Sequence, residues 1–152
     1  MQPLRETVRR KGGPSVPHLI TIPGTPIAKK RPRFARRGKF VTTYNSQETE
    51  EGRFLFEAQK QYQYPPIETP IHLFCCFYMP IPKGTSKKKI NLMELNQIKH
   101  TKKPDLDNLL KFVKDCLNGL TWKDDSQVFS IEAVKLYDQQ PRTIIKVEEV
   151  SN

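Results

Sequence analysis

Ile71-His72-Leu73-Phe74-Cys75-Cys76-Phe77-Tyr78-Met79 is the stretch that decides the fold. It is nearly continuous in apolar residues and strand-sized, which predicts a strand buried on both faces at the centre of a sheet. Around it the chain offers further elements of both kinds. His18 to Ile22 reads as a short apolar strand broken by Pro23-Gly24. Gln127 to Tyr137 and Thr143 to Val150 read as two closing strands joined by a turn around Asp138 to Pro141. Strands at both ends with helices interspersed predict a small single domain of α/β (α+β) class, a mixed β-sheet flanked by helices.

The helices have recognisable ends. Asn45, with Glu48 three residues on, predicts a capping box opening a helix that runs to about Tyr62 before Pro65-Pro66. Phe54, Leu55, Ala58 and Tyr62 repeat at helical spacing within it. Asp107 is expected to cap a second, strongly amphipathic helix with Leu109, Leu110, Val113, Cys116, Leu117 and Leu120 as its stripe and Gly119 at its C-cap. A short helix is expected within Ser86 to Gln97. Residues 1–17 mix basic residues with Gly and Pro and lack an apolar period, so they read as a flexible basic leader before a domain over 18–152.

The chain has 152 residues and a net charge of +10, and the charge is uneven. Residues 1–40 hold eleven Lys and Arg against Glu6 alone, while the rest balances to zero. Such an asymmetry points to a polyanionic partner, nucleic acid before anionic lipid, since no basic amphipathic helix lies in that quarter. No apolar run reaches the ~18 to 20 residues of a membrane span, and no secretory signal is visible, so a membrane partner is not expected. The three cysteines, Cys75, Cys76 and Cys116, make neither a disulfide framework nor a CxxC site and read as core residues of a cytoplasmic protein.

Chemistry concentrates in Lys103-Pro104-Asp105-Leu106-Asp107-Asn108. Pro104 disfavours a helical Lys103, and an extended chain would put Asp105 and Asp107 on one face just ahead of a helix. Adjacent carboxylates repel unless protonated or bridged, and a hard divalent ion bridges them well: Mg²⁺, with Mn²⁺ the alternative. Asp124-Asp125 follows after a helix and a turn back, so the chain is expected to return toward the first pair and gather Asp105, Asp107, Asp124 and Asp125 about one or two metals suited to phosphodiester hydrolysis. Singly, Asp107 is explained by capping and Asp124-Asp125 by an acidic surface turn; together the four favour the metal site. Lys111 shares a helix face with Asp107 and Asp115, either as a salt-bridge ladder or as a charge beside the metals. The basic block Lys29, Lys30, Arg31, Arg33, Arg36, Arg37 and Lys39, interleaved with Phe34 and Phe40, reads as a hairpin contacting DNA phosphates, extended by Lys87, Lys88, Lys89, Lys102 and Lys103. His100 reads as a surface loop histidine and Trp122 as core.

The run Lys103-Pro104-Asp105-Leu106-Asp107-Asn108-Leu109-Leu110-Lys111, then Asp115 and Trp122-Lys123-Asp124-Asp125-Ser126-Gln127-Val128, closely resembles the signature of the RusA family of Holliday-junction resolvases, the crossover junction endodeoxyribonucleases of bacteria and their phages. Pro23-Gly24-Thr25-Pro26 with Arg31-Pro32-Arg33 is similar to that family's opening, and the likeness spans roughly 18–150. It implies that Asp105, Asp107 and Asp125 are essential metal-site carboxylates, Asp124 an auxiliary acid and Lys111 the catalytic lysine. It also implies a homodimer that makes paired symmetric nicks in four-way junctions during DNA recombination and repair. Two other readings stay open at this level: a basic DNA-binding module without catalysis, and a nuclease for branched or flap DNA generally.

Overall fold

The computed structural model describes residues 16–151. The expectation for the leader therefore falls, apart from residues 16 and 17, outside the described residues. The elements in order are β1 (His18–Pro23), β2 (Arg33–Arg37), β3 (Phe40–Tyr44), α1 (Glu48–Gln61), β4 (Ile71–Pro80), α2 (Lys87–Glu94), α3 (Leu106–Leu117), a 3-10 turn (Asp125–Gln127), β5 (Val128–Asp138) and β6 (Arg142–Glu149).

The main sheet has the order β1-β6-β4-β5, and β2 with β3 forms a separate two-stranded sheet. β4 is inner, as its composition predicts: it pairs parallel with β5 and antiparallel with β6. One parallel pair among antiparallel ones makes the sheet mixed. Leu73, Cys75 and Phe77 of β4 are fully buried and join Ile20 of β1, Ile145 and Val147 of β6, Phe54 and Ala58 of α1, and Leu109 and Val113 of α3 in one core. Thus α1 and α3 cover one face, where Phe54 meets Phe112 edge-to-face at 5.6 Å. Phe112 is part of the buried stripe of α3, although the apolar spacing read from the sequence passes it over. A truncation such as Leu109→Ala removes a fully buried side chain from this core and costs about 2–5 kcal/mol. Burial holds Cys75 and Cys116 up at about 12, so they remain neutral packing thiols at physiological pH.

Three termini differ from expectation. The first helix begins after Gln47 rather than Asn45, whose Oδ1 accepts from the Gln47 backbone N–H at 2.9 Å. Gln47 has a better use for its side chain than a cap: its Oε1 accepts from Lys30 N and its Nε2 donates to Ala28 O, both at 2.8 Å, with the side chain buried. The C-cap of α3 is Asn118, and Gly119 follows it with a φ of +83° that a side chain would strain. The third difference, at the start of α3, belongs to the candidate site.

Candidate active site and nucleic-acid interface

Asp105, not Asp107, occupies the N-cap position of α3, with extended φ −70° and ψ 144°. Asp107 already lies within the first helical turn, so the two carboxylates are not strand neighbours on an extended chain. This shift removes the structural explanation for both. Asp107 is past the cap, and Asp105 stands at the cap yet makes no side-chain capping bond. Two exposed carboxylates at a helix N-terminus, where the dipole favours negative charge, are left available to a ligand.

Lys111 follows Asp107 by one turn and makes no ion pair among the described residues. Its expected ladder partner, Asp115, is taken by Lys29 Nζ at 3.2 Å. Lys29 also reaches Glu51 at 3.1 Å. Burial works against the Lys29 charge, but the two carboxylates outweigh it and raise its pKa. Lys29 thus serves the fold, while Lys111 has no ion-pair partner among the described residues.

Asp125 is positioned differently. Trp122 is fully buried and its indole Nε1 donates to Asp125 Oδ1 at 2.7 Å. Asp124 is committed to the local turn: its Oδ1 accepts from Ser126 N at 3.0 Å, while Gln127 Oε1 accepts from Asp124 N at 2.8 Å, a capping box. The Ser126 N–H bond holds the Asp124 carboxyl below its ordinary range. Gln127 Nε2 then donates to Ile67 O at 2.7 Å and Thr69 O at 3.0 Å, pinning the turn just ahead of β4.

The expected gathering of the four carboxylates does not occur within this chain. From Asp107 to Leu117 the helix runs about 15 Å at 1.5 Å per residue. The chain then coils at that far end, with Leu120 N and Thr121 N bonding Leu117 O and Gly119 N bonding Trp122 O. Only β5 carries it back: Lys135, about 23 Å along from Val128 at roughly 3.3 Å per residue, donates from Nζ to Lys102 O and Pro104 O, each at 2.9 Å. Asp105 and Asp107 therefore lie at one end of α3, and Asp124 and Asp125 at the other. Oxygens shared by one Mg²⁺ lie only ~2.0–2.1 Å from the ion. Consistently, no three His, Cys, Asp or Glu side chains cluster at metal-binding separation among the described residues. The expectation failed because the seven residues after α3 stay in a tight turn instead of extending back along the helix.

The basic residues divide too. Arg33, Arg36, Arg37 and Lys39 are exposed on the hairpin formed by β2 and β3, and Arg31 is exposed just before it. Lys30 Nζ pairs loosely with Glu50 at 3.6 Å. Lys87, Lys88 and Lys89 fill the first turn of α2, which carries no acidic residue. Cations at a helix N-terminus oppose its dipole, an arrangement that an external anion relieves. Lys102 and Lys103 are exposed beside Asp105, in the segment that Lys135 fastens. Sequence reasoning missed Lys135, although a lysine in the alternation Ile131, Ala133, Lys135, Tyr137 signals a special partner. His100 packs against Tyr137 with ring centroids 4.8 Å apart, and burial with nearby Lys135 lowers its pKa. No helix among the described residues is long and apolar enough to cross a membrane.

Comparison with known proteins places the chain in a family. The model of the endodeoxyribonuclease RusA family matches residues 23–148, a span that includes Asp105, Asp107, Lys111, Asp124 and Asp125. The chain belongs to the RusA endodeoxyribonuclease family. It is 36% identical over 136 residues to YqaN of Bacillus subtilis (strain 168), a protein described as uncharacterized, covering 87% of this chain and 96% of YqaN. It is also 43% identical over 51 residues to the crossover junction endodeoxyribonuclease rusA of Lactococcus phage r1t, a shorter match covering 33% of this chain and 39% of that protein.

Proposed function

We propose that this chain is a divalent-metal-dependent endonuclease that resolves four-way DNA junctions as a homodimer, by paired symmetric nicks, in DNA recombination and repair. The observation that carries the reading is the pair Asp105 and Asp107 at the start of α3, neither of which makes a cap bond, with Lys111 one turn on and without an ion pair among the described residues. Lys111 is suited to offset charge on a phosphate oxygen as a strand is cut. Asp124, committed to its turn, acts by positioning Asp125.

A metal held by all four carboxylates of one protomer does not fit the geometry. That same separation supports the dimer. A two-fold axis can set the Asp105–Asp107 end of one copy beside the Asp125 end of the other, and repeats the arrangement at the symmetry mate. Two sites so related suit two symmetric nicks. Arg31, Arg33, Arg36, Arg37 and Lys39, with Lys87, Lys88, Lys89, Lys102 and Lys103, supply the phosphate contacts.

The test is cleavage of a four-way junction, a flapped duplex and a linear duplex, with Mg²⁺ or Mn²⁺ and with chelator. Metal-dependent, paired nicks in the junction alone are expected. Equal cutting of flap and junction would make the chain a general branched-DNA nuclease, and no cutting of any substrate would reduce it to a DNA-binding module.

A further inference from the structure

We propose that the β2–β3 hairpin is a base-stacking element, a two-faced ribbon that enters the centre of branched DNA and takes unpaired bases against Phe34 and Phe40. The inference rests on the nuclease reading and adds what a branched substrate offers this chain beyond its phosphates.

The hairpin turns at Gly38, whose φ of +60° suits glycine, and its strands pair only with each other, Arg33 opposite Tyr44 through Arg37 opposite Phe40. No core residue lies in it, yet Phe34, Phe40 and Val41 are 74%, 77% and 60% exposed. A lone two-stranded hairpin is marginal in water, and large exposed rings in one call for a partner. Side chains alternate, and directly opposed residues share a face. One face therefore carries Phe34, Arg36 and Val41, and the other Arg33, Arg37 and Phe40.

One face thus joins an aromatic ring to one guanidinium group and the other joins a ring to two. From Lys29 to Tyr44 there are seven Lys and Arg and no acidic residue, so the partner is anionic. Intact duplex presents phosphates but buries its base faces, and would leave both rings in water. An opened branch point presents both, and stacking accepts any base because every base has a π-face. The root of the hairpin is fixed, since Lys29 N donates to Asn108 O at 2.9 Å and Gln47 grips Ala28 and Lys30. The root of the ribbon therefore stands beside the first turn of α3.

The test is made in EDTA, so it is independent of cleavage. A four-way junction with 2-aminopurine at the branch point and a linear duplex of matched sequence are titrated with wild type, with Phe34→Ala/Phe40→Ala, and with Phe34→Tyr/Phe40→Tyr. The alanine variant is expected to lose about tenfold or more in junction affinity, keep its duplex affinity, and lose the 2-aminopurine response, with all three restored by tyrosine. An unchanged junction-to-duplex ratio and response in the alanine variant would overturn the proposal, as would equal weakening on both DNAs. If wild type binds neither DNA, the functional reading falls and the inference with it. If it binds and responds but never cleaves with metal, only the nuclease reading falls.

Discussion

The indole Nε1 of Trp122 donates to Oδ1 of Asp125 at 2.7 Å, so a ring wholly inside the core aims a carboxylate at the surface. Trp122→Phe keeps most of the packing and removes the donor. We expect a stability loss of about 1–3 kcal/mol in denaturant unfolding. Single-turnover junction cleavage should fall roughly ten- to a hundredfold, since small misplacements of reacting groups are costly. Junction affinity should stay at the wild-type value.

Gln47 is the internal clasp of the hairpin root. Gln47→Leu leaves the Lys30 N–H and Ala28 C=O without their partners and should cost about 1–3 kcal/mol per unsatisfied group, read as a lower urea midpoint. DNA binding should weaken as well, because the hairpin loses its anchor.

These two residues show where the sequence was legible and where it was not. The inner strand β4, the amphipathic stripe of α3 and the hairpin around Gly38 follow from apolar spacing and turn chemistry, which are local. The role of Gln47 is not local, because a polar residue beside a helix start looks like surface until its partners, seventeen and nineteen residues back in the chain, are known. The separation of Asp105 from Asp125 was illegible for a related reason. A seven-residue connection can extend along a helix or coil at its end, and only the bonds to the Leu117 and Trp122 carbonyls decide.

The Lys29 ion pairs make a pH-dependent contribution. The folded pKa of Lys29 lies above the ordinary 10.5. Its stabilisation is therefore fully present below the unfolded value and fades as pH rises through the folded one. The melting temperature of Lys29→Met should trail wild type by a constant interval from neutral pH upward, and that interval should close above pH 10.5. Because Lys29 is committed to Glu51 and Asp115, the variant should leave the salt dependence of DNA binding unchanged.

Arg31, Arg33, Arg36 and Arg37 should behave in the opposite way. Their joint replacement by alanine should flatten the slope of log K against log salt by about three to four units, at ~0.9 per phosphate contact, in fluorescence anisotropy on duplex DNA. It should leave the urea midpoint near wild type. A full slope would move the phosphate contacts to the lysines of α2 and residues 102 and 103.

The most direct test of the account is a subunit-mixing experiment with Asp105→Asn and Asp125→Asn. Each variant alone should bind the four-way junction but neither cut it nor take up Mn²⁺ in a spin-resonance titration. If the active site unites the Asp105 end of one copy with the Asp125 end of its partner, a mixed dimer regains one intact site. Mixing should then restore single nicks and a fraction of the Mn²⁺ sites. Inactive single variants that stay inactive, and metal-free, after verified subunit exchange would contradict the shared site, and near-normal cleavage by either variant alone would contradict the assignment of these carboxylates altogether.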